Sequence, residues 1–248
     1  MLLDKNLFEG LDNTGHLSAG GETPMLHSHR DAFEKFMQHK ARGEKARSLI
    51  HETLLNTREQ CARMFNVDAS DIAFLSSTSE GINIVAYGLD WKPGDNVVIA
   101  DVEFGSGVYP WTLLQQQGVE IKIVRHKEWQ IYIDDIAAQI DSNTRLVLMS
   151  HVSMFTGQRI PLQELADAVH QRDAALVLDA THAAGEKNRA GNICIMSDRV
   201  DEISEQLRQR GVLARGTYGS DSRLRISAHV YGDESDIDAC LDAPGSLD

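Results

Sequence analysis

The sequence predicts an α/β fold built on a mostly parallel β-sheet, and two observations carry that prediction. From Asp71 onward short apolar runs alternate with helical segments, and two of the runs, LVLMS and ALVLD, are continuous Val/Leu/Met/Ala stretches up to their last residue. Parallel strands covered by helices on both faces lose the usual alternation of apolar and polar residues, because neither face meets water. A βα-alternating order is the mark of that layered class.

The elements follow in order. Residues 1–25 are rich in glycine, serine and proline (Ser18, Gly20, Gly21, Pro24) and read as an extended arm that needs a partner surface. Helical signals cover 27–40 and 44–65, broken near Gly43; the second stretch places Leu49, Ile50, Leu54, Leu55, Cys61 and Met64 at spacings of three and four. Strands are expected over 72–75, 96–100, 119–124, 146–150 and 175–178, with helices over 79–87, 106–116, 133–140 and 162–172 between them. After Gly185 the order changes to a strand over 192–196, a helix opening at Ser197 or Asp198, a short strand around Val212, a strand over 224–230 and a helix from Asp233. This predicts an arm (1–25), a large domain (26–185) and a small α+β C-terminal domain (186–248) too short for a large core of its own.

Composition narrows the function classes. With 42% hydrophobic and 25% charged residues the chain has an ordinary globular make-up. Lys+Arg 24 against Asp+Glu 37 leaves a formal net charge of -13, which repels a phosphate backbone and argues against nucleic acid as a partner. Cys61, Cys194 and Cys240 are widely spaced, with no C-x-x-C pair and no clustered Cys/His set, so neither a disulfide framework nor a metal site is expected. No apolar run approaches the roughly 20 residues that span a bilayer, and the first 20 residues lack a signal-type apolar core. The expectation is a cytoplasmic protein without a membrane partner.

Two segments could carry chemistry. FLSSTSEGINIVAYG (74–88) runs from a strand through a hydroxyl-rich turn into a helix, and free amides at a helix N-terminus beside hydroxyls form an anion site. The competing reading is an ordinary cap made by Thr78 or Ser79, with Glu80 favouring the helix dipole. ALVLDATHAAG (175–185) puts Asp179 and His182 at the carboxyl end of a buried strand, where open α/β sheets bind ligands. A carboxylate there can hold a pyridinium nitrogen protonated; the competing reading is a loop aspartate that caps the next helix. His182 taken alone is more often a structural hydrogen-bonder than a catalyst. A nucleotide-binding α/β protein is a weaker alternative, since no G-x-G-x-x-G or G-K-[ST] accompanies the turn.

Taken in order, SSTSEGIN, KPGDNVVIADVEFGSGVYPW, RLVLMSHVSMFTG, LVLDATHAAG and LRISAHVYGDESDID resemble aminotransferase class V, the group of cysteine desulfurases and isopenicillin-N-epimerase-like proteins. The resemblance covers most of 65–185 and again about 189–238. It implies the fold type I architecture of pyridoxal-phosphate (PLP) enzymes, a homodimer, and an amino acid as substrate. It further implies that Thr78 and Ser79 hold the cofactor phosphate, Phe104 stacks on the pyridine ring, Asp179 pairs with the ring nitrogen, and His182 lies near the ring hydroxyl or phosphate. Arg225 would grip the substrate carboxylate, which a planar guanidinium meets in bidentate fashion; the competing reading is a surface arginine on an edge strand.

Several positions depart from the family pattern. Phe104 stands where desulfurases usually carry histidine, which keeps stacking and removes an acid/base group. Met154 replaces an asparagine that bonds the ring hydroxyl in many members, and Gly232 replaces a common asparagine after Tyr231. No cysteine precedes Arg225 at the place of a desulfurase sulfur acceptor, so cysteine desulfurase is the less favoured activity, while the D-x-x-H-x-A-G form is similar to kynureninases. Transamination, racemisation and β/γ-elimination stay open, and the likeness to kynureninases keeps carbon-carbon cleavage in play.

The Schiff-base lysine of the family is absent. It should follow Asp179 by about 20 to 30 residues on a turn after a further strand, whereas Lys187 is the sole lysine after Lys127 and follows Asp179 by eight positions. No catalytic residue is therefore assigned. Two strands that the family places between its first strand and the rest of the sheet are missing as well, which predicts a split sheet with unpaired edges. The alternatives are an interior segment absent between Gly185 and Glu186, a shortened relative that pairs its edges in a dimer, or a deletion that makes order depend on a partner. The rival to a PLP enzyme is a catalytically inactive relative that serves as a binding or interaction protein.

Overall fold

The computed structural model describes residues 3–184, 193–216, 222–227 and 231–242. The arm contributes strand β1 (Gly15–His16), and helices α1 (His27–Lys40) and α2 (Ala46–Phe65) follow. The alternating part runs α3 (Thr78–Gly88), β2 (Asn96–Ala100), α4 (Gly105–Leu114), β3 (Glu120–Val124), α5 (Ile133–Gln139), β4 (Thr144–Ser150), α6 (Leu162–His170) and β5 (Ala175–Asp179). The last part holds β6 (Ile193–Met196), α7 (Val200–Gln209), β7 (Val212–Leu213), β8 (Arg223–Ile226) and α8 (Glu234–Leu241). Among the described residues no helix is long and apolar enough to cross a membrane.

Two compact units emerge: Leu75–Cys194, and Met1–Phe74 together with Ile195–Asp248. This grouping cuts the chain elsewhere than the sequence-based limits at 25/26 and 185/186. The arm and the first two helices group with the C-terminal part.

The Leu75–Cys194 unit carries a four-stranded sheet of order β3-β2-β4-β5, parallel throughout. Alternate residues of its strands face opposite layers. Val97, Ile99, Leu146 and Leu148 meet Ile82 and Ala86 of α3 and Trp111 and Leu114 of α4. Val98, Ala100, Val147 and Met149 meet Ile136 of α5 and Leu165 and Val169 of α6. That double cover is why LVLMS has no polar position inside it. The predicted α/β class is what the structure has, and most boundaries agree to within a few residues.

The segment 72–75 is a correction. It is extended but pairs with no strand among the described residues, and Phe74 and Leu75 are 45% and 47% exposed. A strand exists only where a neighbour takes up its N–H and C=O groups, and among the described residues the sheet ends at β5. Among the described residues the sheet is thus incomplete. β5 is an edge whose Leu176, Val177 and Leu178 are apolar toward both layers yet only half-buried. Helix 79–87 begins one residue earlier, at Thr78, and helix 106–116 begins at Gly105 and tightens into a 3-10 turn at Gln115–Gln117.

In the other unit the arm finds its partner surface within the chain. β1 runs parallel to β7, Leu17 N donates to Leu213 O at 2.8 Å, and Ser227 N donates to Leu17 O at 2.7 Å. Leu17 is fully buried among Val200, Ile203 and Leu207 of α7, Val212, Leu224 and Cys240. The C-terminal segment is too small for a core by itself, and the arm completes it. Phe8 and Leu11 close over Tyr231, whose hydroxyl lies 3.0 Å from His16 Nδ1. Burial pushes the Tyr231 phenol up to about 12, with the Asp236 charge adding to it. Asp233 caps α8 in a capping box with Asp236. The predicted strand 224–230 is seen over Arg223–Ile226; its residues 228–230 lie outside the described residues.

Candidate functional site

The strand order sets where a ligand can sit. From β2 the chain crosses to β3 on one side, and β4 and β5 are laid down on the other, so the switch point lies between the carboxyl ends of β2 and β4. Ser150 ends β4 and lies opposite Asp179, the end of β5. Since Leu146, Leu148 and Val177 pack toward α3 and α4, the same alternation turns Ser150 and Asp179 to that side. The helix N-termini there belong to α3, which starts at Thr78, and α4, which Phe104 caps.

Thr78 and Asp179, distant in sequence, meet through Thr181. Thr181 donates to Asp179 Oδ1 from its amide at 2.9 Å and from its hydroxyl at 2.6 Å, and its Oγ1 lies 3.2 Å from Thr78 Oγ1. Asp179 Oδ2 takes no hydrogen bond from the described residues, which leaves one carboxylate oxygen for a ligand N–H. The amide and hydroxyl of Thr181 thus fix Oδ1 in the i to i+2 pattern of an aspartate that closes the turn after a strand.

The cap of α3 is Ser77, not Thr78 or Ser79: Ser77 Oγ accepts from Glu80 N at 3.2 Å. Glu80 reaches back to Ser76, accepting from its amide and hydroxyl, both at 2.7 Å, and these bonds hold its carboxyl below the usual range. Thr78 and Ser79 are exposed, and their amides have no partner among the described residues. An anion is the natural complement of such amides in the first turn of an eleven-residue helix.

Phe104 is half-buried at the N-terminus of α4, and His182 is half-buried in the turn after β5. Met154 lies in the turn after β4, where its carbonyl accepts from Cys194 Sγ at 3.3 Å. Arg225 belongs to the other unit. It is not a surface residue, being 7% exposed on β8, with its backbone paired to Arg215. Its Nη2 lies 3.5 Å from where a side chain on Gly21 would begin. Lys187 and the junction of Gly185 with Glu186 lie outside the described residues.

Sequence reasoning missed Glu103, Ser150 and Thr181. Glu103 is 8% exposed and takes two hydrogen bonds from Ser150, from its amide at 2.8 Å and its hydroxyl at 2.5 Å. Burial raises the Glu103 carboxyl to about 7; the bonds from Ser150 oppose the rise and the charge of Asp179 adds to it. Glu103 stands three positions after the fully buried run NVVIA, and an acid so near a buried strand end was the available signal.

The sequence pattern described as Aminotransferase class-V matches residues 23–192. The chain belongs to the class-V aminotransferase family. A probable cysteine desulfurase of Methanothermobacter thermautotrophicus is 32% identical over 167 residues, 65% of this chain and 41% of that protein. A cysteine desulfurase of Salmonella newport is 31% identical over 140 residues, 53% of this chain and 34% of that protein. The class-V chain thus spans less than half the length of these curated relatives. Among solved structures, a C-DES mutant with glycine covalently linked to its PLP cofactor superposes with a TM-score of 0.86 at 16% identity, covering 96% of this chain and 98% of that one. The cysteine desulfurase CsdA of Escherichia coli gives 0.75 at 14%, with 96% of each chain covered. At those identities the likeness is one of fold, and it is the PLP-dependent cysteine desulfurase fold expected of class V.

Proposed function

We propose that this class-V chain holds pyridoxal 5'-phosphate at the end of β4 and β5, and that the whole protein uses it on a small amino acid. The observation that carries the reading is the Thr78–Thr181–Asp179 link, which joins the two expected anchor points and, among the described residues, leaves Asp179 Oδ2 without a hydrogen bond. When bound, the cofactor supplies an electron sink for charge that develops on the substrate. Asp179 Oδ2 would keep the ring nitrogen protonated, the amides and hydroxyls of Thr78 and Ser79 would hold the phosphate, and Phe104 would stack on the ring. His182 stands at the ring hydroxyl or phosphate, and Arg225 takes the substrate carboxylate. The reaction is a transamination, a racemisation or a β/γ-elimination. The domain division 1–25, 26–185 and 186–248 is proposed for the family architecture. A cytoplasmic location is proposed too, since the sequence has no C-x-x-C pair and no disulfide-type cysteine spacing.

The absent lysine favours a second reading, in which the chain binds the cofactor reversibly and serves as a binding or interaction protein. Titration with PLP, followed by borohydride reduction and peptide mapping, separates the two. Saturable absorbance with a modified lysine supports an enzyme; saturable absorbance with no modified lysine supports the binding protein; no saturation rejects both. Asp179→Ala should weaken PLP about tenfold or more, the worth of one charge-assisted hydrogen bond, and unchanged affinity would remove Asp179 from the site.

A homodimer is proposed as well. Phe33 and Met37 of α1 are each 61% exposed beside Phe36, which puts three large apolar side chains on one helix in water. Sedimentation velocity should give a dimer that Phe33→Glu with Met37→Glu converts to monomer; an unaltered dimer would place the interface elsewhere.

A further inference from the structure

We propose that Glu103 is the positioning residue that sets Phe104 over the ring site, by bridging the loop after β2 to the end of β4. This rests on the PLP reading above. Glu103 lies at the topological switch point, immediately before Phe104, and its carboxyl spans to the strand next in the sheet. One oxygen accepts from Ser150 N at 2.8 Å and the other meets Ser150 Oγ at 2.5 Å. Ser150 is in turn the register partner of Asp179. One short bridge therefore ties the residue expected on the ring face to the residue expected at the ring nitrogen.

The surroundings leave the bridge little freedom. Glu103 is 8% and Ser150 9% exposed. Gly107, in the first turn of α4, lies so close that an added Cβ would stand 2.9 Å from Leu148 Cδ2, 3.6 Å from Glu103 Cβ and 3.7 Å from Glu103 Oε2. Gly107 N also donates to Phe104 O at 2.8 Å, so the Phe104 turn is closed onto the helix that rests on Glu103. A carboxyl buried this deeply is costly unless both its oxygens are bonded. A bare structural acid would sit as well at any strand end, whereas this one joins the two sides of the ligand crevice.

The bridge needs one acceptor and one atom that can exchange a hydrogen bond with a hydroxyl, and glutamine offers both in the same shape. Glu103→Gln should therefore keep PLP affinity within about twofold and keep the visible circular dichroism of bound cofactor, which reports ring orientation. Glu103→Ala should weaken PLP about tenfold and change that dichroism per bound cofactor. In the cofactor-free protein Glu103→Ala should speed amide exchange at Ser150 and across 103–107, and leave β3 and β5 as they were. Unchanged affinity and dichroism in Glu103→Ala would overturn the proposal. Faster exchange across the entire sheet would also overturn it, by showing a role in the fold alone, as would Glu103→Gln behaving like Glu103→Ala. If the unaltered protein takes up no PLP, the cofactor reading fails, and the local exchange result alone then decides whether the bridge exists.

Discussion

Replacing Trp111 by alanine should destabilise the Leu75–Cys194 unit by about 3–5 kcal/mol, the usual range for removing a fully buried indole. Trp111 has no exposed surface, donates from Nε1 to Gly107 O at 2.7 Å, and meets Trp91 edge-on with centroids 6.1 Å apart. Its neighbours Val97, Ile99, Leu146 and Leu148 belong to the two central strands, which cannot close a cavity of that size without moving the sheet. A loss of this size is comparable to the whole stability of many domains. Urea unfolding followed by far-ultraviolet circular dichroism should show it as a large fall in midpoint. A change below about 1 kcal/mol would mean that α4 does not rest on the sheet as described.

The second large effect is a pH dependence. The Glu103 carboxyl is raised to about 7 by burial, against an ordinary value near 4.5. Below about 4.5 it is protonated in both the folded and the unfolded chain and alters nothing. Between about 4.5 and 7 the folded chain holds the extra proton, so its stability falls as pH rises. Above about 7 the loss is complete, about 3 kcal/mol relative to the acid limit. Glu103→Gln does not titrate. Its stability relative to the unaltered protein should be near zero at pH 4.5 and grow to about 3 kcal/mol by pH 8. The difference between the two proteins isolates Glu103 from the other carboxyls that titrate in the same range. Parallel stability curves from pH 4.5 to 8 would show that this carboxyl is not buried as described.

The candidate site was legible where one segment carries one signal. The hydroxyl-rich turn at 76–79 and the acid ending ALVLD were both visible in the sequence, because a strand end followed by a helix start is a local pattern. The partners of those residues were not. Thr181 bridges to Thr78 across 103 positions, and Glu103 reaches Ser150 across 47. No local periodicity encodes which loops share a crevice. The segment 72–75 illustrates the reverse case: its IAFL run has the composition of a strand, and composition cannot say whether a neighbour is present to pair with it.

Alternation of apolar runs with helical segments by itself determined the α/β class, the parallel sheet and nearly all of its element limits, because burial on both faces writes itself into each strand separately. The order of five motifs determined the class-V resemblance, and the spacing of lysines set the expectation that the family's Schiff-base residue is missing. Only the tertiary structure decided that the sheet stops at β5 among the described residues, that Leu17 of the arm completes the core of the C-terminal part, and that Glu103 faces Ser150. Each of those depends on a contact between segments far apart in the chain, and such contacts are fixed by packing and hydrogen-bond geometry, not by the residues of either segment alone.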